Sequence, residues 1–188
     1  MIPSYLLLAL LATASPPDSG ALARETPDSS ACVLHGRGWS VAVSAPEGWS
    51  IECRGPQTTN VQVALWPTGT SWRASPVVMS VNATATRAGE SLEAFARSEA
   101  LRFRTEHPTA SIGVGSDLRT FDGRPALVRY YNADEFGSRD AVAYVDAGPA
   151  RVTIALSSGQ ERVFTAHLVD FTTLVTTTTV ARGALAGK

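Results

Sequence analysis

Apolar residues return at every second position in short runs along this chain, and that alternation confines it to a sheet-based fold. In Trp39-Ser40-Val41-Ala42-Val43-Ser44, residues 39, 41 and 43 share one face, because successive side chains of an extended chain point to opposite sides. After the turn residues Ala45-Pro46-Glu47-Gly48, Trp49-Ser50-Ile51-Glu52-Cys53 repeats the pattern, so the two runs read as a hairpin. Val61–Trp66 and Val77–Ala83 predict two more strands, joined by a polar loop from Pro67 to Pro76. The second half continues with runs at Ile112–Phe121, Ala126–Tyr131, Ala141–Val145 and Val152–Leu156. Asp122-Gly123 marks a two-residue hairpin between the first two of these.

Two segments change period. Leu92, Phe95, Ala96, Ala100 and Phe103 share a face at helical spacing. Ser91 sits at the N-cap of that helix, Glu93 in its first turn, Arg102 and Arg104 near its end, and His107-Pro108 stops it. A last helix is predicted from Ser158 and Glu161 at capping-box spacing, with Phe164, Leu168, Phe171 and Val175 as its stripe. The β-branched run Thr176–Thr179 should weaken its end. Short loops between strands demand antiparallel pairing. The order of strands, helix, strands, helix therefore predicts an α+β domain, an αβα sandwich with helices covering an antiparallel sheet.

The N-terminus bears on compartment. Tyr5-Leu6-Leu7-Leu8-Ala9-Leu10-Leu11-Ala12 is a short apolar run, and Ala21-Leu22-Ala23 before Arg24 forms a small-x-small site. Together they read as a secretory signal peptide over 1–23. No Lys or Arg precedes Arg24, and the alternative is an apolar tail on a cytosolic protein. A flexible lead over 24–31, one domain over 32–182 and a loose tail over 183–188 follow. Cys32 lies well past the apolar run and lacks a lipobox leucine before it, so the mature protein is expected to be secreted or periplasmic, without a lipid anchor or a membrane span. In an oxidising compartment Cys32 and Cys53 are candidates for a disulfide; otherwise they are two buried thiols.

Composition narrows the partners. Of the 188 residues, 44% are hydrophobic and 18% charged, with a net charge of −1. No basic block is present, so neither nucleic acid nor an anionic membrane surface is an expected partner. Hydrolase, P-loop and zincin motifs are absent. His35, His107 and His167 are far apart in sequence. Residues 132–143 resemble a calcium loop faintly, but Phe136 and Ala143 stand where ligands would be needed. No metal, cofactor or catalytic residue is expected. Trp66 ends a strand and Trp72-Arg73 lies in a polar loop. Trp and Arg are enriched at interaction hot spots, so Trp66, Trp72 and Arg73 are the candidate binding residues, with Trp72 either exposed or folded back over the sheet edge.

The segment Val41-Ala42-Val43-Ser44-Ala45-Pro46-Glu47-Gly48-Trp49 resembles the opening of the Mog/PsbP-like superfamily, which includes PsbP, DcrB-like and LpqN-like proteins. The middle helix and Phe121-Asp122-Gly123-Arg124-Pro125-Ala126 resemble it too, and the likeness spans most of 39–180. The resemblance implies an αβα sandwich and a non-enzyme. The expected role is an exported binding or assembly module acting on an extracytoplasmic protein or envelope component. The alternative is a carrier of a small apolar ligand in a cleft between sheet and helix.

Overall fold

The computed structural model describes residues 30–55, 61–133 and 137–181, together with the backbone of 22–24. In chain order its first elements are β1 (Leu22–Arg24), β2 (Ala31–Gly36), β3 (Trp39–Ser44), β4 (Trp49–Glu52), β5 (Val63–Pro67), β6 (Val77–Ala85) and α1 (Leu92–Glu106). There follow β7 (Ser111–Val114), β8 (Leu118–Arg119), β9 (Pro125–Ala133), β10 (Ser138–Asp146), β11 (Ala150–Ser158), α2 (Glu161–Ala166), α3 (Leu168–Thr177) and β12 (Thr179–Ala181). The strands form two sheets, a small one in the order β1-β2-β3-β12 and a large one in the order β4-β5-β6-β11-β10-β9-β7, with β8 beside β9. Every pairing among the described residues is antiparallel.

The expected hairpin of 39–44 with 49–53 does not form. β3 pairs with β2 and β12, whereas β4 pairs with β5. The intervening turn carries Gly48 at φ 78° and closes with Trp49 N–H donating to the Pro46 carbonyl. It passes the chain from the small sheet to the edge of the large one. A disulfide then ties the sheets back together. Cys32 in β2 and Cys53 just beyond β4 are joined with their Cα atoms 5.4 Å apart, so the sequence expectation of a bond here holds.

The core follows from side-chain alternation. One face of the large sheet carries Val63, Leu65, Met79, Val81, Ile154 and Leu156 into the main cluster. The small sheet meets it with Cys32, Leu34, Val41, Val43 and Val180, and α2 and α3 add Phe164, Phe171, Leu174 and Val175. The opposite face receives α1, whose Leu92, Ala96 and Phe103 pack on Tyr131, Val142 and Tyr144. The large sheet is thus covered by helix on both sides, as the sandwich reading requires.

Helix α1 starts where the sequence places it, with the Ala94 N–H donating to Ser91 Oγ at 3.1 Å. The C-terminal helix differs. It divides at His167 into α2 and α3, and Ser158 is no cap: its hydroxyl donates to the Pro76 carbonyl at 2.8 Å. The threonine run ends α3 as expected but then becomes a strand, since Thr179–Ala181 extends along β3. Threonine suits an extended chain at a sheet edge better than a helix end. At the N-terminus β1 pairs Leu22–Arg24 with Val33–His35, so Arg24 and Ala31, expected in the flexible lead, are strand residues. The rest of the expected signal peptide, residues 25–29 and 182–188, and residues 134–136 of the calcium-loop-like segment lie outside the described residues. Among those described, no helix is long and apolar enough to cross a membrane.

Candidate functional site

Helix α1 lies mainly over β9 and β10, and the neighbouring part of the same sheet face forms a cleft of about 50 Å³. Its floor can be read from register. Three cross-strand rows run over β6, β11, β10 and β9: Val78–Ser157–Asp140–Tyr131, Ser80–Ala155–Val142–Arg129 and Asn82–Thr153–Tyr144–Leu127. The side chains are small or polar towards β6 and β11 and large towards β9. Small residues leave room; the aromatic ones carry the helix. Phe103 meets Tyr131 with ring centroids 4.9 Å apart, and Phe95 meets Tyr144 at 5.8 Å.

Arg151, on the same face of β11, fixes the start of the helix. It is buried, pairs with Asp146 at 2.7 Å, and donates to the carbonyl of Glu90, next to the Ser91 cap. Trp72, from the loop before β6, closes the other wall and is 8% exposed. Glu99 and Arg102 sit at the rim on α1 and pair at 2.5 Å.

Asp140 is the buried charge of the site, 3% exposed. The Ser157 hydroxyl donates to its Oδ1, and Ser138 Oγ lies 3.5 Å from Oδ2. Beside it the Tyr131 and Tyr144 hydroxyls share a hydrogen bond of 2.7 Å. Burial raises both phenols, and the two-tyrosine pair stays protonated at any ordinary pH. Burial also pushes the Glu99 carboxyl up, against the pull of Arg102.

Loss of hydration pushes the Asp140 carboxyl up to about 6 from an ordinary 3.8, while the Ser157 and Ser138 hydroxyls and the charge of His107 pull it down. The folded chain therefore keeps this proton to a higher pH than the unfolded chain. Stability from this group is present below about pH 4 and is lost as pH rises towards 6. The loss is roughly 2–3 kcal/mol for a shift of this size. Asp140→Asn retains an acceptor for Ser157 and carries no charge. Denaturant titrations across this range should show the variant gaining on the native chain up to about pH 6 and then staying level; a constant difference would contradict the assignment.

The structure separates the residues singled out in the sequence. Trp72 is folded inward and lines the cleft, Trp66 is half-buried on the same face of β5 as Ala64, and Arg73 is exposed. His35 is exposed on β2; His107 is buried at the end of α1 against Phe103; His167 stands edge-on to Trp49 and contacts Asp170 at 2.7 Å. Among the described residues no three His, Cys, Asp or Glu side chains could hold a metal. A cleft does lie between sheet and helix, where the carrier reading expects one, but its floor of Ser80, Thr153, Ser157 and Asp140 is polar. Sequence reasoning passes over Ser157 and meets Asp140 only within the faint calcium-loop segment, read there as a solvated acidic turn, whereas the structure buries it. The available signal was the alternation of small or polar Ser80, Asn82, Thr153, Ala155 and Ser157 with apolar Met79, Val81, Val152, Ile154 and Leu156.

No protein-family model matches the sequence, and no curated protein is similar to it in sequence. Solved structures do match. The solution structure of cyanobacterial PsbP from Synechocystis sp. PCC 6803 superposes with a TM-score of 0.51 at 14% identity, over 89% of this chain and 96% of that one. A point mutant of the protein Mog1 superposes with a TM-score of 0.46 at 8% identity, over 81% and 84%. A protein of unknown function from Pseudomonas aeruginosa superposes at 0.42 with 12% identity, over 88% and 99%.

Proposed function

On this PsbP fold, we propose an exported, non-catalytic binding module that receives an extracytoplasmic protein or envelope component at the cleft beside α1. The observation that carries this reading is a sheet face left open by its helix, with a buried carboxylate on its floor and Trp72 as its wall. A face that served only as core would be apolar and covered. The apolar run and the small-x-small site before Arg24 support export, and so does the disulfide.

The test is capture of partners from envelope and medium fractions on the immobilised protein, against Trp72→Phe and Ser80→Trp. The first keeps a ring at the wall while shrinking it; the second fills the floor. Retention of a partner by the native chain and its loss from Ser80→Trp is expected. Equal retention by all three would place the binding surface elsewhere.

A further inference from the structure

We propose that the group recognised in the cleft is a protonated primary amine, held by Asp140 and the hydroxyls around it and enclosed by Trp72, Phe103, Tyr131 and Tyr144. The inference rests on the cleft being the binding surface and adds the chemistry of what enters it.

Charge balance comes first. Three ionisable residues with full charges line the cleft: Glu99, Arg102 and Asp140. Glu99 and Arg102 neutralise each other at 2.5 Å. Asp140 has no Lys or Arg partner among the described residues; its contacts are the neutral hydroxyls of Ser157 and Ser138. His107 is the imidazole whose charge acts on it, and a buried carboxylate whose hydrogen bonds come from hydroxyls is costly, because hydroxyls stabilise it without cancelling its charge. A ligand cation would supply the missing half of the pair.

The surrounding groups decide which cation. Aromatic rings attract a cation to their faces. Ser80, Thr153 and Ser157 present hydroxyl oxygens, which can accept from N–H donors. A quaternary ammonium has no such donors, and an uncharged sugar would leave the carboxylate unneutralised. An apolar molecule would strand both carboxylate and hydroxyls without partners. The volume of about 50 Å³ is room for about four water molecules, which fits an aminoalkyl end rather than a whole large ligand.

The probe is n-propylammonium chloride, with n-propanol as its uncharged counterpart of equal length and tetramethylammonium chloride as the cation without N–H groups. Binding to the disulfide-intact chain is followed by amide and side-chain chemical shifts in NMR titrations. Nα-acetyl-lysine amide tests whether the amine is presented on a protein. Propylammonium is expected to bind and shift resonances of β6, β10 and β11, with propanol and tetramethylammonium at least tenfold weaker. Asp140→Asn should weaken it about tenfold to a hundredfold, the usual worth of a charged hydrogen bond. Because Asp140→Asn relieves a buried charge, that loss would come from a folded protein, which its denaturation midpoint checks.

Affinity should also fall as pH drops through about 6. His107, Glu99, Arg102 and Tyr131 face Asp140 from α1 and β9 and are unchanged in the variant, so a pH step that survives in Asp140→Asn would belong to them and overturn the assignment. Equal binding of propanol, unchanged binding by the variant, or no binding of propylammonium at millimolar concentration would each overturn the amine. Partner capture lost in Ser80→Trp while propylammonium fails to bind would discard the amine and leave the cleft as the binding surface. Capture indifferent to Ser80→Trp would remove the cleft itself.

Discussion

Phe171→Ala is expected to lower the free energy of unfolding by about 3–5 kcal/mol, the cost of emptying an aromatic site in a core that cannot collapse around it. Phe171 is 2% exposed and projects from α3 into the main cluster. Helix α3 packs there against β3 of the small sheet and against β8, β10 and β11 of the large one. Strands of both sheets thus frame the cavity that the truncation would leave, and none can move in without breaking a ladder. Val169, two residues earlier and on the opposite side of the same helix, is 66% exposed. Val169→Ala should change stability by no more than about 0.5 kcal/mol. Chemical denaturation of both variants makes the comparison; similar losses would mean that α3 is not held by the packing described above.

Breaking the disulfide should cost about 3 kcal/mol. Cys32 and Cys53 are separated by 21 residues, and a bond closing a loop of that size removes about this much conformational freedom from the unfolded chain. Both cysteines are buried in the main cluster, one in β2 of the small sheet and one just beyond β4 of the large sheet. The bond therefore joins the two layers a second time, beyond the Gly48 turn that carries the chain between them. Reductant should move the denaturation midpoint of the native chain to that of the Cys32→Ala, Cys53→Ala double variant and leave the variant's own midpoint unmoved. A native chain indifferent to reductant would show that the bond adds nothing to stability. A dependence on the bond would suit a protein that works where disulfides persist.

Stability and the proposed recognition pull apart at Asp140. A charged carboxylate beneath a helix weakens the fold near neutral pH, and an apolar residue of similar size would fill the place more cheaply. The large sheet keeps it at the boundary between the part of its face that α1 covers and the part that forms the cleft. Destabilised polar groups in a cleft are where a ligand's interaction energy can be largest.

Much of the architecture follows from local sequence. Period-two alternation places most strands because each residue's face is set by its neighbours in the chain. The Ser91 cap and the stripe through Phe103 set α1, and the short turns after Asp122 and Ala147 force antiparallel neighbours. Where these local rules met a non-local choice, tertiary structure decided. Strands β3 and β4 each alternate correctly, yet nothing in either says that they join different sheets; partners from residues 31–36, 63–67 and 179–181 decide it. The tail of threonines could not be read as a strand because its partner, β3, lies well over a hundred residues earlier. The cleft is the furthest from the sequence. Asp140, Ser157, Ser80 and Trp72 come from different strands and loops, and only register brings them to one face. The sequence determined which side chains are polar and which way each points along its own strand. The pairing of strands, which is settled by burial across the whole sheet, decided that they meet and that α1 stops short of covering them.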